Sequence, residues 1–571
     1  MNLKLQFQDR HKNITPIKLK TLFLLLVWLL LGTGLRLSQL TGKPPWTDEF
    51  STLVFSLGNS FRTVPLDRAI ALDVLLQPLQ PNPERGVTQV IGHLLTESNH
   101  PPLYFVLAHW WMQLWSPDSF GLVSVWAARS LSALLGAASI PAIYGISWLA
   151  FRSLFVSHLA AAMMAVSPYG IFLAQEARHY TLAILWVIGS LSCLVIATRH
   201  IQHRTQIPIW LVATWVVINI LGISTHYFFS LTLCAEALVL LALRWHSPPH
   251  PVTSSPRHFP WWQIYVVAIG TIMGGLVWLP VFLQNSYGSK LTEWIQNGDR
   301  TGLAWLNPIF QAVAAWVTML CLLPVEASAL PVVLVSGGVM IIFLLWALPI
   351  LRSGITTQLK QPETRLITQV LVGVVCSAIA LFFVFTYAFG IDLTRGARYN
   401  FVYFPAVMVL LGASLAVCWN SPVKQGADGK TAVMLILLMG LLSGLTVVCN
   451  LGYQKYYRPD LLVQLIQNKS QSPVLIATTH KTHVQIGEIM GIAREFKLSG
   501  SPATPQFLLA HQDQDPNTST TALQQTLNQL PRPLDLWLVN FYAPVKINSC
   551  IANPHSLPPI DGYNYQLYHC Q

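Results

Sequence analysis

Two adjacent carboxylates, Asp48 and Glu49, stand in the stretch Pro44-Pro45-Trp46-Thr47-Asp48-Glu49-Phe50, directly after the first apolar run of a 571-residue chain. Further on come Asn99-His100-Pro101-Pro102-Leu103-Tyr104-Phe105, Gln175-Glu176-Ala177-Arg178-His179-Tyr180, His226-Tyr227, and the trio Asp392, Arg395 and Arg398 with Tyr399. These residue types suit a nucleophilic substitution with an anionic leaving group, in which a carboxylate takes a proton and guanidinium groups hold phosphate. Arginine fits the second task because its planar fork donates to two phosphate oxygens at once. Plainer roles stand beside these. Asp48 and Glu49 can serve as acidic residues at a helix N-terminus, and His100 can open a helix through the prolines that follow it. His226-Tyr227 suits an interfacial anchor, and Arg129 suits a structural pair with a loop carboxylate. A divalent cation neutralised by Asp48, Glu49 and the histidines fits the residue types, but no spacing matches a metal motif.

The elements that must position these groups are apolar. With 53% hydrophobic residues, 10% charged residues and a mean hydropathy of +0.49, the chain reads as a polytopic membrane protein. The formal charge of +11 is scattered among short loops and forms no nucleic-acid patch. Lys4, Arg10, Lys12, Lys18 and Lys20 place the N-terminus in the cytoplasm by the positive-inside rule. The Asp48-Glu49 loop is then outside. Spans are expected at the first apolar run, 22–31, taken as an uncleaved first helix, and near 121–150, 155–172, 179–198, 207–224, 228–244, 262–284, 331–351, 367–390, 399–418 and 431–451, about eleven spanning helices in all. Leu103 to Trp115 is too short to span and rich in Trp, so it reads as interfacial. Pro308 to Leu323 reads as re-entrant or interfacial, because crossing would export the basic loop Arg352, Lys360 and Arg365. Arg257, Lys424 and Lys430 then fall inside as well.

From residue 452 onward, apolar runs shorten to strand length. Val474–Thr478, Phe507–Ala510 and Leu534–Phe541 read as strands, and Val484–Phe496 and Thr520–Leu530 as helices. The expected organisation is an all-α polytopic membrane domain over 1–451, with an outer catalytic loop at 40–102, and a small α/β extracytoplasmic domain over 452–571. Cys193, Cys234, Cys321, Cys376 and Cys418 lie in apolar runs, and Cys449 at the end of the last one. Cys550 and Cys570 are an exported pair and a disulfide candidate. On this topology the outer face collects Asp48, Glu49, His100, Glu176, Arg178, His179, Tyr180, His226, Tyr227, Asp392, Arg395, Arg398 and Tyr399. Ionisable groups at membrane depth are costly, so such a collection is a candidate site.

Taken together, Thr47-Asp48-Glu49, Asn99-His100-Pro101-Pro102-Leu103-Tyr104, Ala128-Arg129-Ser130-Leu131-Ser132-Ala133, Ser167-Pro168 with Gln175-Glu176-Ala177-Arg178-His179-Tyr180, and Arg398-Tyr399 resemble the GT-C glycosyltransferases. Within that fold the chain is similar to the bacterial family 39 enzymes, related to protein O-mannosyltransferases and aminoarabinose transferases. The resemblance covers about residues 15–450. It implies a transferase moving a sugar from a polyprenyl-phosphate donor to a protein, lipid or glycan acceptor at the outer face of the plasma membrane. It further implies Asp48 as base on the acceptor hydroxyl, with Glu49 as helper or alternative. Arg178, together with Arg395 or Arg398, matches the phosphate-holding positions, and His100, Glu176, Tyr180, His226 and Tyr399 complete the binding surface. This chain departs from the aminoarabinose transferases where they place an aspartate and it has Glu176 with Arg178.

Two rivals come from other classes. A transporter or flippase would show internal repeats and mid-membrane ionisable groups; no repeat is visible. A glycan polymerase or ligase would use a lipid-linked glycan and similar arginines. The topology gives a direct expectation: a reporter fused after Gly452 is exported, and one in the Arg352–Arg365 loop stays cytoplasmic. An exported reporter near Lys360 would show that Pro308 to Leu323 crosses.

Overall fold

Inside a bilayer each backbone amide must bond within its own segment, so apolar runs here have little choice but to be helices. The computed structural model describes residues 3–245, 261–284, 290–296, 301–420, 428–500, 504–515, 517–545, 547 and 549–571; Arg257 and Lys424 lie outside the described residues. Among these, eight helices are long and apolar enough to cross a membrane, or nine if the bent pair Leu154–Val166 and Pro168–Ala174 is one span. The chain is thus a multi-pass membrane protein. Each of the eleven expected spans corresponds to a helix or to that bent pair, with Ile209–Thr225, Phe229–Trp245 and Phe404–Trp419 the shorter members. Leu103–Met112 is a ten-residue helix, about 15 Å long at 1.5 Å per residue and too short to span. The Pro308 region, expected to be re-entrant or interfacial, is also long enough to span. Gly302–Leu306 runs on into Asn307–Leu320, and the 19 residues together are long and apolar enough to cross. Pro308 stands in the first turn of its helix, where its missing N–H costs nothing, so it does not end the segment as a mid-helix proline would.

The chain divides into two compact units. One comprises Met1–Leu40, Ser132–Gln284 and Thr292–Tyr453; the other comprises Thr41–Leu131, Asn285–Leu291 and Gln454–Gln571.

In the membrane unit, the Leu154–Val166 helix is almost wholly buried and packs against Phe404–Trp419, which also packs on Leu330–Lys360. Lipid offers no hydrophobic drive for helix association, so close backbone approach at small residues does this work. A Cβ placed on Gly412 would lie 2.6 Å from the Ala160 Cβ and 2.8 Å from its Cα. The Ser414 hydroxyl donates to the Leu351 carbonyl at 2.7 Å, and Gly354 leaves the room for it.

The second unit is built on a six-stranded sheet in the order β1-β3-β2-β4-β6-β5. Its strands are β1 (Ile70–Ala71), β2 (Val474–His480), β3 (Gln506–His511), β4 (Leu534–Val539), β5 (Cys550–Ala552) and β6 (Tyr565–Cys570). β2 runs parallel to both β3 and β4, with Ile476 opposite Phe507 and Trp537. All six residues of β4, and six of the seven in β2, are buried, as expected for central parallel strands covered on two faces. The helices His483–Leu498 and Thr518–Gln529 match their expected positions within two residues. β5 and β6 pair antiparallel and are joined by the Cys550–Cys570 disulfide. This unit takes in more than the expected 452–571 domain, because β1 from the first loop pairs with β3, Ile70 opposite Phe507. The Thr47–Ser56 helix, buried at nine of its ten residues, also packs there on His483–Leu498.

The glycine contact gives a packing test. Gly412→Val should lower the thermal midpoint of the purified protein by an amount corresponding to about 1–3 kcal/mol of overpacking. Gly145→Ala, where a Cβ meets nothing within 4 Å, should leave it unchanged.

Candidate active site

Asp48 and Glu49 occupy the first turn of the Thr47–Ser56 helix, where the amide dipoles favour negative charge. Their environments differ. Asp48 is half-buried, whereas Glu49 is 1% exposed. Arg129 grips Glu49 with two parallel bonds, Nε to Oε1 at 2.7 Å and Nη2 to Oε2 at 2.8 Å, and its Nη1 donates to the Lys43 carbonyl at 2.8 Å. Lys455 adds a second cation 3.5 Å from Glu49 Oε2 and lies over the Trp46 ring at 5.3 Å. A carboxylate held this way is a structural anion, which gives Glu49 a task other than proton transfer and leaves Asp48 as the candidate base. Removing one partner of such a buried pair strands a charge and costs about 3–5 kcal/mol. Arg129 thus takes the structural role weighed for it from sequence.

The His483–Leu498 helix comes close to this turn: a Cβ on Gly487 would sit 3.4 Å from the Thr47 Cα. His483, at the start of that helix, is buried with its ring stacked on Phe61 at 5.0 Å and edge-on to Phe55 at 5.7 Å. His109 Nδ1 donates to the Ser56 carbonyl at 2.8 Å and its Nε2 accepts from Gln113 at 3.0 Å, so its tautomer is fixed by the carbonyl. His100 stacks on Phe105 at 6.0 Å, and its backbone N–H donates to the Ser98 hydroxyl at 3.3 Å, just ahead of the Leu103–Met112 helix.

The remaining candidates belong to the membrane unit. Arg178 is fully buried in the short segment between Pro168–Ala174 and Tyr180–His203. Its peptide is held by Ser132, whose hydroxyl donates to the Arg178 carbonyl at 2.9 Å and accepts from its N–H at 3.3 Å. Its guanidinium lies over the Tyr180 ring at 5.8 Å. Glu176 is buried, and its carbonyl accepts from the Arg178 N–H at 2.7 Å in a tight turn. His226 sits among rings: His179 at 4.6 Å, Phe401 at 5.0 Å, Tyr180 at 5.6 Å and Tyr399 at 6.2 Å. Arg398 lies over Trp294 at 5.3 Å and Tyr399 at 5.5 Å, and its carbonyl accepts from the Tyr169 hydroxyl at 3.0 Å. Arg395 is engaged differently, 3.5 Å from the Asp392 carboxylate and donating to the Trp294 carbonyl. Of the two arginines left open by sequence, Arg398 is therefore the one in the aromatic cluster with Tyr399 and His226.

The structure thus gathers Arg178, Tyr180, His226, Arg398 and Tyr399 around shared rings, and sets Arg395 against Asp392. Among the described residues no three His, Cys, Asp or Glu side chains are grouped to hold a metal. Sequence reasoning missed Lys455, His483, Trp294 and Phe401, none of which stands in a motif; their residue types alone carried no signal.

No protein-family model and no curated protein sequence matches the chain. Solved structures do. ArnT from Cupriavidus metallidurans, bound to undecaprenyl phosphate, is similar at a TM-score of 0.47 and 10% identity over 97% of this chain and 98% of that one. The oligosaccharyltransferase of Archaeoglobus fulgidus in its apo form is similar at 0.44 and 11%, over 91% and 69%. The archaeal AglB from the same organism, in complex with an inhibitory peptide and a dolichol-phosphate, is similar at 0.41 and 11%, over 91% and 69%.

His483 generates a pH prediction. Burial pushes its pKa down from the ordinary 6.5 to about 4, against the opposing pull of the Asp48 carboxylate and with a smaller push from His480. The unfolded chain takes up this proton near pH 6.5 and the folded chain only near pH 4, so the contribution to stability is full above 6.5 and is lost as pH falls toward 4. Its size is on the order of 3 kcal/mol. His483→Phe should flatten the fall in thermal midpoint between pH 7 and pH 5; an unchanged pH slope would contradict the assignment.

Proposed function

We propose that the protein is an integral membrane glycosyltransferase that moves a sugar from a polyprenyl-phosphate donor to an acceptor hydroxyl at the outer face of the plasma membrane, with inversion. The observation that carries this reading is the seating of Arg178 and Arg398 on aromatic faces around His226. Guanidinium groups beside rings suit a ligand with an anionic head and an apolar remainder.

Asp48 accepts the proton of the acceptor hydroxyl. The acceptor oxygen forms the new bond to the anomeric carbon while the bond from that carbon to the phosphate oxygen breaks, and the lipid phosphate leaves with the electron pair. Direct displacement from the opposite face inverts the anomeric centre. Negative charge grows on the phosphate at the low-dielectric boundary, where a positioned cation is worth more than in water. Arg178 and Arg398 supply that charge; Tyr180, Tyr399, His226 and His100 offer faces and hydrogen-bonding groups to the sugar and acceptor, and Glu176 shapes the turn that carries Arg178. In this reading the N-terminus is cytoplasmic and the 452–571 segment extracytoplasmic.

The reading is tested with purified enzyme and a polyprenyl-phosphate sugar, the sugar and acceptor being identified by mass analysis of glycans and glycolipids from cells with and without the gene. Asp48→Asn should retain yield and polyprenyl-phosphate binding while losing roughly 10²- to 10⁴-fold of turnover. Arg178→Ala and Arg398→Ala should each lose at least about tenfold, roughly 1.4 kcal/mol. Glu49→Gln should lose folded protein instead. Near-normal turnover by Asp48→Asn, or full turnover by both arginine variants, would refute the assignment.

A further inference from the structure

The Leu154–Val166 helix stops at Ser167-Pro168 and turns through 56° into Pro168–Ala174. In an unbroken helix the N–H of residue 168 would bond the carbonyl of Met164, and that of Tyr169 the carbonyl of Ala165. Proline has no N–H, and the turn interrupts the ladder beyond it. Two buried carbonyls are left needing donors, each a substantial cost if unmet.

Both are met by one side chain from the first helix. Arg36 Nη2 donates to the Met164 carbonyl at 2.8 Å and Nη1 to the Ala165 carbonyl at 3.1 Å, with a further bond from Nη1 to the Gly32 carbonyl at 3.0 Å. Arg36 is 0% exposed and, among the described residues, forms no ion pair. Its charge is answered by the negative end of the Leu154–Val166 helix. Room for it is made by glycines: a Cβ on Gly32, Gly136 or Gly170 would come within 3.0, 3.2 or 3.4 Å of its side-chain nitrogens. The same turn of the first helix holds the far end of the short helix, since Gln175 Nε2 donates to the carbonyls of Ser38 at 2.9 Å and Leu35 at 3.3 Å. Glu176 to Tyr180 follow immediately.

We infer that Arg36, seconded by Gln175, is a positioning residue: it replaces the backbone donors that Pro168 removes and thereby fixes the bend that presents the Glu176–Tyr180 segment. A lysine has three donors but no planar fork, and would serve two carbonyls less well. The functional half of the inference rests on Arg178 as a phosphate ligand; the structural half does not.

Hydrogen exchange of the full-length protein in detergent separates the two. Arg36→Met should raise exchange at least about tenfold in peptides covering 165–180 while leaving the Tyr180–His203 and Phe404–Trp419 helices protected, and Arg36→Lys and Gln175→Leu should give smaller rises in the same peptides. In the transferase assay Arg36→Lys should raise the donor KM several-fold with kcat less affected. Unchanged exchange in 165–180 in all three variants would overturn the inference, and so would a rise spread evenly over the membrane unit. If Arg36→Met yields no folded protein, the other two variants decide by the same criterion. If exchange behaves as expected but Arg178→Ala has full turnover, the phosphate reading fails and the structural role of Arg36 stands.

Discussion

The paired grip of Arg129 on Glu49 is the constraint on which the candidate base depends. Two charges almost fully withdrawn from water are tolerable only when every lone pair and N–H is met, and here the fork takes both carboxylate oxygens while the third nitrogen reaches the Lys43 carbonyl. Lys455, from far later in the chain, adds a second cation to the same carboxylate. With Glu49 anchored, the first turn of its helix has one orientation, and Asp48 next to it remains half-buried.

The membrane unit follows the same logic with other partners. Arg36 is buried against backbone carbonyls at a helix C-terminus and Arg178 is buried over the Tyr180 ring, while the half-buried Arg398 lies over Trp294 and Tyr399. Carbonyls that belong to a bent helix are permanent, so Arg36 is committed to structure.

Much of this was legible in the sequence, and the failures have physical causes. Apolar runs of spanning length must be helices, so helix positions followed directly; the strand and helix order of the C-terminal segment followed from run length and alternation. Pro308 to Leu323 reads as non-spanning from the charge of the loop that follows, whereas length and apolarity alone allow it to cross. Asp48 and Glu49 could not be told apart, since their difference lies in Arg129 and Lys455, brought to one of them by tertiary packing alone. Arg36 went unremarked for the same reason: its partners are carbonyls, which leave no trace in residue types. The first loop gave no sign that two of its residues would finish a sheet composed after residue 473, because a two-residue strand is below any periodicity.

That edge strand has a consequence for biosynthesis. Ile70 and Ala71 pair with Phe507 and Gln506, and the Thr47–Ser56 helix rests on residues beyond 482, so the loop carrying Asp48 emerges among the first segments of the chain yet meets its partners among the last. At roughly 5–20 residues per second, the ~440 residues that follow the loop take on the order of 20–90 s to make. For most of that interval the Thr47–Ser56 helix lacks the surface it packs on in the finished chain.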